Sequence, residues 1–244
     1  MPAVSQTPGL FYPDWNRTSP AEALAPGIVH VWRANLDTYR IHSDRLTASL
    51  APDELNRASR FHFECDRMRY SVSRGLLRLL VGRYVGLRPG AISFAYTLRA
   101  KPYLPSPETL AFNLSHSHGM ALYAFAHSCE LGIDVERYNP EFEAESIARS
   151  FFTPEEVRFI LQAPQDNRNE RFFFLWSRKE AYIKARAEGL YLPLNEFDLA
   201  SRSSVDGFQI QSFFTWPQFS AALAVKPPPS QIRFFDLDSP VFAP

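Results

Sequence analysis

Two stretches of this chain echo each other 104 residues apart. Arg69-Tyr70-Ser71-Val72-Ser73-Arg74 resembles Phe173-Phe174-Leu175-Trp176-Ser177-Arg178. Gly86-Leu87 matches Gly189-Leu190 at an offset of 103, and Ala121-Leu122-Tyr123-Ala124-Phe125 resembles Ala221-Ala222-Leu223-Ala224-Val225. Matches this short also arise by chance. They gain weight because the order of predicted elements around them repeats as well, the pattern left when one supersecondary unit is used twice.

In the first half, Ile28 to Leu36 alternates like a strand, and Ser49-Leu50-Ala51-Pro52 reads as a helix start with Ser49 as cap. A long helix spans about Asp66 to Val85, with Leu76, Leu77, Leu80, Val81 and Tyr84 at helical spacing and Gly86 as its stop. Ile92 to Tyr96 is strand-like. Ala111 to Leu114 and Ala121 to Ala126 form a strand pair joined by Ser115-His116-Ser117-His118-Gly119. In the second half, Leu131 to Arg137 is a strand, Ala144 to Phe152 a helix, and Thr153-Pro154-Glu155-Glu156 a capped helix start. A long helix runs from about Asn169 to Ala187, with Gly189 as its stop. Strands are expected near 197–199, 208–214, 220–225 and 232–237. The reading is an α+β chain of two similar, pseudo-twofold halves, 27–129 and 130–244, behind an N-terminal arm, 1–26. The ligand site is expected at their interface, because two like halves create a cleft.

The 244 residues, 45% hydrophobic, suffice for such a pair of cores. Lys and Arg balance Asp and Glu at 26 each, so bulk charge argues for neither a nucleic-acid nor a membrane partner. Arg outnumbers Lys 22 to 4, which suits bidentate recognition of phosphate or carboxylate. Cys65 and Cys129 have neither metal nor disulfide-framework spacing, and no signal peptide or apolar run of about 18 residues is evident, so a cytoplasmic protein is expected.

The residues that could carry chemistry sit where charge is costly. Leu131-Gly132-Ile133-Asp134-Val135-Glu136 puts two carboxylates in an apolar strand, on one face by the period of two. Two parallel carboxylates repel unless a cation lies between them, and oxygen donors favour Mg²⁺ or Mn²⁺. The plain alternative is a solvent-facing strand side. Glu180 and Lys184 share a helix face at i and i+4. An ordinary surface salt bridge would look the same, but the preceding Phe172-Phe173-Phe174-Leu175-Trp176 marks a buried helix whose charges face a cleft. Asn113-Leu114-Ser115-His116-Ser117 reads as a polar turn able to bind phosphate, or simply as a solvated one. A nucleophile–base role for Ser115 and His116, or a metal at His116-x-His118, has less support. Arg99-Ala100-Lys101-Pro102 is a rigid basic turn suited to a fixed phosphate, or a solvated loop. Arg57, Arg69 and Arg74 are further candidate phosphate contacts.

In order and spacing these stretches resemble the 4′-phosphopantetheinyl transferases of the surfactin-synthetase type. The resemblance rests on Lys101-Pro102, Phe112-Asn113-Leu114-Ser115-His116-Ser117, Gly132-Ile133-Asp134-Val135-Glu136 and Trp176-Ser177-Arg178-Lys179-Glu180-Ala181-Tyr182-Ile183-Lys184, and covers roughly residues 28–225. It implies two similar α+β halves with coenzyme A and Mg²⁺ between them. Asp134, Glu136 and Glu180 are implied as the Mg²⁺ ligands, and Lys184 as a contact to the coenzyme A phosphates. Lys101 and His116 would hold the 3′-phosphate and adenosine end, helped by Arg57 and Ser115, with Arg99 and Pro102 in the same turn. Glu180 and Lys184 are the implied catalytic pair. The implied reaction transfers 4′-phosphopantetheine from coenzyme A to a serine of an apo acyl or peptidyl carrier protein, with release of 3′,5′-ADP. A non-catalytic module that binds coenzyme A or a nucleotide is the alternative. The duplication suggests a monomer. One departure stands out: the family often has glycine where this chain has Ala100, and Ala costs about 1 kcal/mol or more if positive φ is needed there.

Overall fold

The computed structural model describes residues 10–16, 23–106, 109–139, 141–187 and 193–237. In chain order the elements are β1 (Leu10–Phe11), β2 (Ile28–Asn35), α1 (Ser43–Thr47), α2 (Pro52–Ser59), α3 (Glu64–Val85), β3 (Ala95–Tyr96), β4 (Pro102–Tyr103), β5 (Leu110–Ser117), β6 (Met120–His127) and β7 (Glu130–Arg137). Then follow α4 (Ala144–Phe151), α5 (Pro154–Leu161), α6 (Arg168–Arg186), β8 (Ser204–Val205), β9 (Phe208–Phe213), β10 (Phe219–Lys226) and β11 (Gln231–Asp236). Among the described residues no helix is long and apolar enough to cross a membrane.

Two compact α+β units result. One joins Glu130–Pro228 with the chain up to Asp14, the other Trp15–Cys129 with the chain from Pro229. The repeat is visible in their topology. In one, β2 is followed by α1–α3 and then by β5 and β6, with β6 antiparallel to both β2 and β5. In the other, β7 is followed by α4–α6 and then by β9 and β10, with β10 antiparallel to both β7 and β9. The residue match between Ala121–Phe125 and Ala221–Val225 is out of step by one, however. Tyr123 of β6 donates its hydroxyl to the Ser73 carbonyl of α3, so odd positions face that helix. On β10 it is Ala222 and Ala224 that pack with Ala181 and Ala185 of α6. A shift of one reverses strand faces, which the sequence match could not register.

The domain limits need correcting at both ends. β11 lies parallel to β2, so the last strand belongs to the sheet of the N-terminal unit, where Phe235 stacks on Trp32 at 4.6 Å. Within the expected arm, β1 lies parallel to β9, and Tyr12 stacks on Phe214. Each edge offers backbone groups that a distant strand can satisfy, and sequence adjacency does not reveal which one will.

Both units hold their long helix with the same device. Glu156 accepts the Thr153 amide while the Thr153 hydroxyl accepts the Glu156 amide, a full capping box behind Pro154. Glu54 likewise accepts the Ala51 amide behind Pro52. Ala51 has no side-chain oxygen, and Ser49, expected as the cap, donates instead to the Leu46 carbonyl. Each capping glutamate is then buried against cations of the long helix: Glu54 against Arg74 and Arg78, Glu156 against Lys179. α3 ends where Gly86 adopts φ 72°, as expected. The expected stop of α6 at Gly189 lies outside the described residues; α6 is capped by Ala187 at φ 56°. Three smaller expectations differ. No strand forms at 197–199, the strand near 92–96 shrinks to Ala95–Tyr96, and Ser115, His116 and Ser117 belong to β5, leaving His118-Gly119 as the turn.

Candidate active site

Gly132 decides how β7 meets α6. A Cβ there would lie 2.1 Å from the Ala181 carbonyl oxygen and 2.4 Å from the Ala185 nitrogen, so only glycine allows this approach. The alternation of β7 places Asp134 and Glu136 on the same face as Gly132, while Ile133 and Val135 point into the opposite core. On α6, Glu180 and Lys184 flank Ala181 at helical spacing. Asp134, 1% exposed, accepts a 2.6 Å hydrogen bond on Oδ1 from Lys184 Nζ. The lysine itself remains about a quarter exposed, at 29%.

The electrostatics tie all three acids to that ammonium. Burial pushes Glu180 above the usual glutamate range, the Asp134 charge pushes it further, and Lys184 opposes both. Burial would lower Lys184, but Asp134, by charge and hydrogen bond, and then Glu180 and Glu136 outweigh it, so its pKa is raised. Among the described residues no three His, Cys, Asp or Glu side chains converge closely enough to hold a metal ion. Asp134 instead pairs with Lys184. The chemistry of Asp134, Glu136 and Glu180 still fits a hard divalent cation: all three are oxygen donors, and the desolvated Glu180 is already short of positive charge.

The neighbours of Glu180 do different work. Ser177 exchanges a 2.8 Å hydroxyl hydrogen bond with Ser220. Arg178 donates to the Leu199 and Arg202 carbonyls and to Ser212, and its burial lowers its pKa to about 10. Lys179, fully buried, donates to the Leu194 and Phe197 carbonyls at 2.6 and 2.7 Å and pairs with Glu156 at 2.9 Å. Sequence reading did not assign these contacts. The signal available was a glutamate at the third helical position after Thr153, with a lysine buried among the aromatics of α6.

The remaining candidates lie in the N-terminal unit. Arg99, Lys101 and Pro102 belong to a hairpin between β3 and β4, where the Thr97 hydroxyl accepts the amides of Arg99 and Lys101. Ala100 has φ 58°, so the residue that replaces the family's glycine does sit in the left-handed region. The Phe94 and Phe112 rings, 5.4 Å apart, join this hairpin to β5, which presents His116 exposed and Ser115 buried. Arg57 is exposed on α2 over the Tyr70 ring. Two of the additional arginines are otherwise engaged: Arg74 is buried against Glu54, and Arg69 makes two 2.9 Å hydrogen bonds to Asp37.

Comparison with known proteins bears on both units. The sequence model described as "4′-phosphopantetheinyl transferase superfamily" matches residues 130–225, and that described as "4′-phosphopantetheinyl transferase, N-terminal" matches residues 32–128. The chain is 39% identical over 189 residues to 4′-phosphopantetheinyl transferase HetI of Nostoc sp., covering 76% of this chain and 79% of that protein. It belongs to the 4′-phosphopantetheinyl transferases. A 4′-phosphopantetheinyl transferase of Bacillus subtilis is 33% identical over 156 residues, 64% of this chain and 68% of that protein. 4′-Phosphopantetheinyl transferase Sfp of Bacillus subtilis strain 168 is 31% identical over 157 residues, 64% of this chain and 69% of that protein. This transferase therefore acts by moving a phosphopantetheinyl group. Asp134, Glu136, Glu180 and Lys184 fall in the first matched span; Arg57, Arg99, Lys101, Pro102, Ser115 and His116 fall in the second.

Proposed function

We propose that this transferase uses coenzyme A as donor, requires Mg²⁺ (or Mn²⁺), and modifies a serine of an apo acyl or peptidyl carrier protein, releasing 3′,5′-ADP. The observation that carries the reading is the Asp134–Lys184 pair with Glu136 and Glu180 beside it, on a strand and helix brought together by Gly132. Asp134, Glu136 and Glu180 are the residues that would hold the divalent cation, and Asp134 and Lys184 would also contact coenzyme A. When bound, the cation supplies neutralisation of the pyrophosphate charge. In the N-terminal unit Lys101 and His116, helped by Arg57, Arg99 and Ser115 beside Pro102, are assigned to the 3′-phosphate and adenosine end.

The chemistry balances as a substitution at phosphorus. The serine Oγ forms a bond to the β-phosphorus, and the bond from that phosphorus to the oxygen shared with 3′,5′-ADP breaks. Lys184 stabilises the departing phosphate. Glu180 takes the serine proton, directly or through a water. Reducing surroundings and a monomer are part of the proposal, resting on two cysteines without framework spacing and on the duplicated units.

The test is the mass of an apo carrier domain incubated with the protein, coenzyme A and Mg²⁺. Wild type should add one phosphopantetheine arm, and Asp134→Ala and Glu180→Gln should lower the rate at least a hundredfold while remaining folded. Full activity of either variant, or no mass gain with wild type across fatty-acid, polyketide and peptide carriers, would refute the assignment.

A further inference from the structure

Lys184 has two demands on it that conflict. Its ammonium lies 2.6 Å from Oδ1 of Asp134, a carboxylate proposed as a cation ligand. A divalent cation held by Asp134 would have to share that carboxylate with an ammonium, and like charges this close repel. A phosphate placed between them removes the conflict, because Lys184 can then leave Asp134 for the phosphate. We propose that Lys184 is a tethered counter-ion that competes with the divalent cation for Asp134, so that the cation binds well only together with a phosphate-bearing donor. This rests on the assignment of Asp134, Glu136 and Glu180 as cation ligands. It adds a coupling to the binding: cation and coenzyme A favour each other, and Lys184 adds to that coupling. By linkage, coenzyme A must tighten the cation by the same factor by which the cation tightens coenzyme A.

The consequence is opposite to that of an ordinary positioning lysine. Removing a residue of the site should strengthen one of its ligands. Mn²⁺ binding, followed by electron paramagnetic resonance of the free ion, reads this without turnover. Lys184→Gln and Lys184→Met should each bind Mn²⁺ at least tenfold more tightly than wild type in the absence of coenzyme A, a difference of about 1.4 kcal/mol. With the Mn²⁺ bound by coenzyme A alone subtracted, coenzyme A should tighten Mn²⁺ by a factor at least tenfold larger in wild type than in the variants.

Asp134→Asn separates the two claims. If it leaves Mn²⁺ binding unchanged, the ligand assignment fails and the competition with it. If it abolishes binding while neither Lys184 variant binds Mn²⁺ more tightly than wild type, the competition alone is refuted. Both Lys184 variants leave the buried Asp134 charge uncompensated and could unfold. Recovery of the folded signal on adding Mn²⁺ would then support the proposal, and failure to recover would overturn it.

Discussion

At the scale of single residues, the candidate site holds a charge that costs stability. It is that of Glu180, since both its burial and Asp134 favour the protonated acid. Its pKa in the folded chain lies above the unfolded value of about 4.3. The ionised form therefore costs folding free energy that is absent below that pH and fully present once the pH exceeds the folded value. In chelator, Glu180→Gln should raise Tm at pH 7 by ~2–4 °C, the shift that about 1 kcal/mol gives in a chain of this size. The gain should shrink as the pH falls through that window. Thermal unfolding of the two proteins from pH 4 to 8 checks this, and a variant less stable than wild type at pH 7 would contradict it. A destabilising charge of this kind accords with the role proposed for Glu180, since stability is commonly traded against activity.

Among the elements, α6 and its counterpart α3 show how one design can carry buried charges in one copy and an apolar core in the other. On α3 the face toward the sheet is Leu76, Leu77 and Leu80, packed with Trp32, Ala34 and Leu36, all fully buried. On α6 the face toward β7 carries Glu180 and Lys184 around small residues. What the two helices share is the clamp on the capping glutamate. Lys179→Met should strand Glu156, a fully buried charge, at a cost of ~3–5 kcal/mol, whereas Glu156→Leu combined with Lys179→Met should recover most of it. Urea denaturation of the three proteins measures both. A single variant within 1 kcal/mol of wild type would show that the pair is not holding α5 and the 194–199 segment to α6.

For the whole molecule, zero net charge conceals a division. By sequence the N-terminal unit holds 15 Lys and Arg against 10 Asp and Glu, and the C-terminal unit 11 against 16. That excess of basic residues accords with the phosphate contacts proposed for Lys101 and His116, an argument that the balanced total hid. The units also depend on strands from distant parts of the chain. Removing residues 229–244 strips β11 from β2, together with Phe234 and Phe235, which are 5% and 4% exposed. Losing one buried Phe costs ~3–5 kcal/mol, and two such losses approach the whole stability of a typical domain. Truncation after Pro228 should therefore give an insoluble or unfolded N-terminal unit, although the deleted residues lie in the C-terminal half of the sequence. Circular dichroism and solubility report the outcome, and an unchanged Tm would contradict the strand exchange.

The sequence by itself determined the elements with strong local signals. The 3.6-residue stripe of α3, the Thr153 capping box and the two-residue period that puts Asp134 beside Glu136 are all set by neighbours a few positions away. The positive φ at Ala100 was foreseeable too, from the glycine it replaces. Tertiary structure alone decided what depends on partners far along the chain. These include the membership of β1 and β11, the one-residue offset between β6 and β10, the turning of Lys179 and Arg74 into the core, and the placing of Lys184 on Asp134. Backbone edges and buried charges accept any partner that satisfies them, and only packing fixes which partner arrives.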